Sequence, residues 1–387
     1  MVFLKKPLLN IVVTFSMLVS AFGWANPADS VAVHKEANSP HAESAAPMSE
    51  AEKKDAERKE FIKHHLLDSH DFHLFSYGSE EHPSHVGFSL PVILWDEGLH
   101  VFSSSKFEHG HAVAESNGKY YMISHHNGKI YRTDAQGTET LDAKGHLTNV
   151  QPLDLSITKN VFMILLVGTL IFLLFAGLGK SYKKNGSIAK GAGRFFEPIV
   201  LYIRDEIAIP NIGQKHYKKY MSFLLTIFFF IWFMNIFGLT PLGVNVTGNI
   251  AITAALAVLT YLITTFTAKK DYWMHIFWMP GVPWPMKIIL APIELLGTII
   301  KPFSLMIRLF ANMIAGHVVI MSLVALMYSA NHIIGGPLTF LLAFVLMILE
   351  VLVALLQAYI FTMLAALYFG AAVEEHHHDE HHEVAHH

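Results

Sequence analysis

Five long apolar runs, near 158–178, 219–240, 249–268, 287–329 and 337–371, fill most of the second half of this chain. Hydrocarbon offers no water to a backbone N–H or C=O, so each run must be a helix, which closes its own hydrogen bonds. Each is long enough for about 30 Å of hydrocarbon. The last two exceed what an upright helix needs, so they tilt, bend at Pro302 or extend past the bilayer. The sequence therefore predicts an all-α polytopic membrane protein of about five membrane helices, the last two a long tilted hairpin, with a smaller soluble part. Composition agrees, with 52% hydrophobic and 15% charged residues in 387. A net charge of −3 leaves no electrostatic footprint for nucleic acid. The absence of cysteine excludes disulfides, thiol nucleophiles and cysteine-based zinc sites.

The soluble part is N-terminal. Residues 1–25 have the form of a secretory signal: Lys5 and Lys6, an apolar stretch, then Gly23 and Ala25 before a cleavage point. The alternative is an uncleaved first membrane helix, for which the apolar stretch is short. Residues 26–60, rich in Ala, Ser, Glu, Lys and His, read as a disordered linker. Residues 61–150 read as a small β-rich module, with strands in "FSLPVILW", "LHVFSSSKF" and "KYYMIS". Asn117-Gly118 and Asn127-Gly128 flank the last of these, and Asn-Gly supplies the positive φ angles of a type I′ hairpin turn.

Charge sets the orientation. The 179–218 loop carries Lys180, Lys183, Lys184, Lys190, Arg194, Arg204 and Lys215, and Lys269-Lys270 follow the third run. The connections near 241–248 and 330–336 carry none. The positive-inside rule then puts that loop and the C-terminal tail (374–387) in the cytoplasm and the module in the periplasm. The signal segment points the same way. In the loop, Phe196, Ile199, Ile203 and Ile207 recur at helical spacing opposite Arg204, Asp205 and Glu206, which predicts one interfacial helix. No inverted repeat relates the halves of the membrane domain (151–373), which argues against a secondary transporter.

Few polar residues interrupt the last two runs: Glu294, Lys301, Arg308, Asn312, His317, Glu350 and Gln357. An arginine at mid-bilayer costs roughly 2.5–3.5 kcal/mol on insertion scales, so Arg308 must have a use. Glu294, Lys301 and Arg308 recur every seventh residue and share a helix face, with Asn312 one turn beyond. "NHIIGGP" (331–337) breaks the hairpin. About that break, Arg308 and Gln357 lie at similar depth, as do His317 and Glu350, while Glu294 lies on the cytoplasmic side of Arg308. These residues can be structural polar contacts between helices. A His–carboxylate pair can also relay protons near neutral pH, whereas arginine does not deprotonate and acts only as a fixed charge.

"KPFSLMIRLFANMIAGH", "LLQAYIFTMLAALYFGAAVEEH" and "MNIFGLTPL" resemble subunit a of the membrane sector of rotary F-type ATP synthases, over roughly residues 155–376. The resemblance implies a proton-channel stator subunit without a catalytic or nucleotide site of its own and without a cofactor. It implies that Arg308 is the essential arginine facing the carboxylates of a ring of c subunits. Asn312, His317, Glu350 and Gln357 would line the outer half-channel and Glu294 the cytoplasmic one. Some relatives carry an acid where His317 stands and a histidine where Glu350 stands, so the pair is exchanged here. The implied partners are the c-ring, the peripheral-stalk b subunits, the remaining synthase subunits and the lipid of a bacterial inner membrane. A membrane anchor with a purely structural polar layer, or a secondary transporter, remains the alternative.

Other motifs are weaker. "HEVAH" (382–386) matches a zinc-protease pattern but ends a charged tail that supplies no helix scaffold. "GKS" (179–181) lacks the first glycine of a phosphate loop, since Leu174 stands there. His64, His65, His70, His73, His82, His85, His109, His111, His125 and His126 of the module show no ligand spacing and read as scattered surface histidines, with metal binding or pH sensing as the alternative.

Overall fold

The computed structural model describes residues 68–79, 82–110, 112–124, 127–142, 147–185, 191–240, 246–279, 282–329 and 335–374. The signal segment, the linker, the hairpin break at 331–334 and almost all of the tail lie outside the described residues.

The module is β-rich, as expected, but built from three small antiparallel sheets. β1 (Asp71–Ser79) pairs with β2 (His82–Ser89). β3 (Pro91–Trp95) lies between β4 (Leu99–Ser103) and β8 (Leu153–Asp154). β5 (Ala114–Ser116), β6 (Lys119–Ile123) and β7 (Ile130–Thr133) form the third. Alternation in β3 and β4 sends Val92, Leu94 and Phe102 inward onto Phe107, Tyr121 and Ile130. Asn117 and Gly118 have φ of 53° and 75° and join β5 to β6 in two residues, as the Asn-Gly signal predicts. The second Asn-Gly differs. It sits in a longer loop, where the Gly128 N–H donates to the Ser124 carbonyl and the Asn127 side chain accepts from the Lys129 N–H.

The remainder is helical: α1 (Lys159–Asn185), α2 (Ala192–Tyr202), α3 (Ile209–Ile212), α4 (Tyr217–Leu239), α5 (Ile250–Thr267), α6 (Lys270–Phe277), α7 (Trp284–Ser329) and α8 (Gly335–Val373). Five of these, α1, α4, α5, α7 and α8, are long and apolar enough to cross a membrane. At 46 and 39 residues, α7 and α8 would run about 69 and 58 Å. A π-turn, Ile203–Ala208, joins α2 to α3, and Pro210 opens α3 where a missing N–H does no harm. Ile203 and Ile207 are buried there, while Arg204 and Asp205 pair at 2.7 Å in solvent, which is the two-faced pattern read from the sequence. The Asn249 side chain caps α5 by accepting from the Ala251 N–H at 2.9 Å.

α8 is held against α4 through small residues. Ala358, Ala365, Ala366 and Ala372 are all 0% exposed, and Tyr220 stacks on Phe369 at 4.5 Å. Gly370 lets the Asn211 carbonyl of α3 approach so closely that a Cβ would collide with backbone, which cannot swing aside. Gly370→Ala is therefore expected to lower the unfolding temperature of the purified chain, with a cost of about 1–3 kcal/mol or more. Gly297, also helical but with open space around it, is the control. There alanine should be neutral or mildly stabilising, and equal behaviour at both sites would contradict the packing argument.

Candidate functional site

The polar residues of α7 and α8 occupy different faces. Leu305, Leu309 and Met313 form the inward stripe of α7 and are buried. Arg308 lies off that stripe and is exposed, near Phe303 (57%) and Ile307 (43%). Among the described residues no carboxylate forms an ion pair with it. A permanent charge set among exposed apolar side chains on a membrane-capable helix is incomplete without a countercharge from outside the chain.

Gln357 of α8 is 4% exposed, and its Oε1 accepts from Asn312 Nδ2 at 3.5 Å. Its own amide nitrogen has no partner among the described residues. The hairpin symmetry read from the sequence sets Gln357 level with Arg308, whereas its hydrogen bond falls on Asn312, one turn further along. Packed helices cross at an angle, so pairing drifts from a register counted out from the turn. Nearer the hairpin break, the Glu350 carboxylate lies against Gly316, where a Cβ would collide with it. Gly316 is the residue before His317. The side chain of His317 itself lies outside the described residues.

Glu294 is half-buried near the start of α7, within electrostatic range of Tyr272 of α6. A narrow open cleft lies on this side, lined in part by Thr260, Thr264, Tyr272, Thr298, Lys301 and Tyr368. The Lys301 ammonium sits 5.7 Å from the centre of the Tyr368 ring, and Arg308 is within electrostatic range of the same residue. Sequence reasoning singled out neither Tyr368 nor Gly316, because each looks like ordinary helix filling. It also passed over Asn235, which is 0% exposed and accepts from the Thr247 hydroxyl at 2.9 Å.

The module joins α1 through a buried ionic cluster. His70, read from the sequence as a surface histidine, is 4% exposed and donates from Nε2 to Asp154 at 3.0 Å. The Asn160 N–H donates to Asp68, and Lys159 and Asp71 lie close by. His100 is buried as well, between Ser116 and the Asp96 carbonyl. Among the described residues no group of three His, Asp or Glu is arranged to hold a metal ion. The other histidines named from the sequence lie outside the described residues or have side chains that do.

Burial pushes the His70 imidazole down, but the hydrogen bond and charge of Asp154, helped by Asp68 and Asp71, raise it overall. Burial pushes Asp154 up, but His70 and Ser156 hold it below the usual carboxylate range. Burial raises Asp68 despite Lys159. A raised His70 stabilises the fold fully below its ordinary value of about 6.5, and that stability fades as pH climbs through the raised value. Asp68 has the same sign. The depressed Asp154 contributes above the ordinary carboxylate value of about 3.9 and is lost only in stronger acid. Thermal stability is thus expected to fall as pH rises above the ordinary histidine value of about 6.5 in the native chain, and His70→Gln should flatten that slope. Removing Asp154 alone should cost about 1.5–3 kcal/mol, the loss of a charge-assisted hydrogen bond, because burial then leaves His70 neutral. A pH-independent melt of the native chain would contradict this account.

Comparison with known proteins covers both parts. The family model described as "ATP synthase A chain" matches residues 161–370, and a domain of unknown function matches residues 61–155. A protein named ATP synthase subunit a 2 from Chlorobaculum tepidum is 43% identical over 227 residues, covering 57% of this chain and 64% of that protein. The ATP synthase subunit a proteins of Chloroherpeton thalassium and Myxococcus xanthus are each 42% identical, over 225 and 228 residues. Those alignments cover 57% of this chain in both cases, and 67% and 74% of the two relatives.

Proposed function

This chain belongs to the ATP synthase A chain family, and on that premise we propose that it is the proton-channel stator subunit of a rotary ATP synthase, presenting two offset half-channels to a rotating ring of c subunits. The observation that carries this reading is Arg308: exposed, set among apolar neighbours, and without a carboxylate partner among the described residues. A ring whose subunits each bear one membrane carboxylate supplies the missing countercharge, one site at a time.

A proton from the outer side passes the His317–Glu350 level and the Asn312–Gln357 amides and neutralises a ring carboxylate. The neutral site can then turn through lipid, where a charged one could not. After nearly a full turn it meets the inner side, where Glu294 and the Thr298–Tyr368 cleft lead its proton to the cytoplasm. Arg308 attracts each deprotonated carboxylate as it arrives. Because arginine keeps its protons, it also bars direct passage between the two paths. The 61–150 module and the signal segment are read as outer, periplasmic elements, and the 374–387 tail as cytoplasmic. The nucleotide chemistry belongs to partner subunits, and the stalk b subunits hold this chain against the ring.

A chain without cysteine permits a direct test. With a single cysteine at Ile307, beside Arg308, cross-linking in native membranes is expected to capture a small hairpin subunit, and the intact chain should co-purify with a ring of them. A chain that purifies alone and captures lipid only would favour the anchor reading, with the polar layer merely structural.

A further inference from the structure

The soluble module carries an apolar face that no part of the described chain covers. Cross-strand register sets Trp95 between Leu99 and Leu153 in one row. Ile93 lies between Val101 and Leu155 in the next, since Ile93 pairs with Val101 and its carbonyl accepts from the Leu155 N–H. Trp95, Leu99, Val101 and Leu155 are 56, 54, 58 and 49% exposed. The opposite faces of the same strands hold Val92, Leu94 and Phe102 in the module core. A solvated outer face of an antiparallel sheet should alternate to polar residues. Instead, both faces are apolar here, and a contiguous apolar patch of this kind marks a contact surface.

The position of the face indicates its occupant. A third row follows, where the Ile157 N–H donates to the Pro91 carbonyl, and α1 begins two residues later at Lys159. Rows are spaced by two residues, about 6.6 Å, so the grid starts at the membrane end of α1. The module cannot swing away on a loose tether. The Lys159 N–H donates to the Ser69 carbonyl, and Phe72 and Leu90 belong to the same buried core as Met163 and Ile164 of α1. Phe88, 44% exposed, packs on Phe162 of α1 at 5.2 Å and continues the exposed apolar surface from helix to module. None of the six grid residues carries a charge, and a tryptophan among them suits the boundary between headgroups and acyl chains.

We propose that this sheet face rests on the membrane, with the Trp95–Leu99–Leu153 and Ile93–Val101–Leu155 rows contacting the lipid of the leaflet at the N-terminal end of α1. The module then acts as a lipid-binding brace that fixes the outer end of α1. This rests on reading α1 as a membrane span.

The test uses the full-length chain, which has no cysteine of its own, in phosphatidylcholine vesicles with and without brominated acyl chains. Single cysteines are placed at Leu99, Val101 and Leu155, at Glu115 on another sheet, and at Leu173 on α1, and each carries an environment-sensitive fluorophore. Labels at 99, 101 and 155 are expected to lose most of their emission in brominated vesicles and to resist aqueous iodide, while the label at 115 behaves oppositely. Loss of emission at 173 verifies the span, so failure there overturns the membrane reading rather than the brace. With 173 quenched, labels at 99, 101 and 155 that iodide quenches and bromine does not would overturn the proposal. Labels shielded from both would also overturn it, assigning the face to protein instead, either residues 26–67 or another subunit.

Discussion

Arg308→Ala is expected to abolish ATP synthesis driven by a proton gradient, while the chain still folds and assembles. At about 4 Å and an effective dielectric near 20, an arginine–carboxylate attraction is about 4 kcal/mol, or close to 10³-fold in the occupancy of the charged site. On the proposed mechanism, alanine removes that attraction and also the barrier between the two proton paths. Passive proton leak should therefore persist or rise while coupled synthesis disappears. Assembly should be spared, because Arg308 is exposed and its packing neighbours Leu305 and Leu309 are untouched. Arg308→Lys keeps a charge but can lose its proton and lacks the planar fork, so it should restore synthesis only weakly.

The second large effect is expected at Gly316. A Cβ there would strike the Glu350 carboxylate, which is the free end of a flexible side chain and can move. Gly316→Ala should thus leave stability near native but displace the Glu350 carboxylate, which the proposed mechanism sets on the outer path, by an ångström or more. Displacements of that size at a reacting group cost on the order of 10²-fold in rate. ATP-driven proton pumping in inverted vesicles should fall steeply, without added leak. Glu350→Asp, which withdraws the carboxylate by one methylene, should recover part of the loss in the Gly316→Ala background. Unchanged pumping in the single variant, or no recovery in the double variant, would remove Glu350 from the proton path.

Much of this was legible in the sequence because hydrocarbon imposes a simple rule. A run of apolar residues must be a helix, so the five membrane-capable helices follow from run length alone. The Asn117–Gly118 turn was legible for a similar reason, since few residue pairs tolerate two successive positive φ angles. Partner choice across the hairpin was less so. Counting from the turn set Gln357 level with Arg308, but the Asn312–Gln357 bond depends on how two helices cross, which run length does not specify. The burial of His70 was hidden because Asp154, its partner, lies 84 residues away in the chain. Gly316 and Gly370 were invisible for the opposite reason, since what matters at each is the atom it makes room for.

The central claim is that Arg308 holds two proton paths apart and couples them through a ring. It is tested most directly by ATP-driven acidification of inverted membrane vesicles bearing Arg308→Ala in the otherwise native complex, at matched amounts of assembled enzyme. The account predicts that ATP is hydrolysed or the enzyme stalls, but that no proton gradient forms. A gradient of normal size would contradict it.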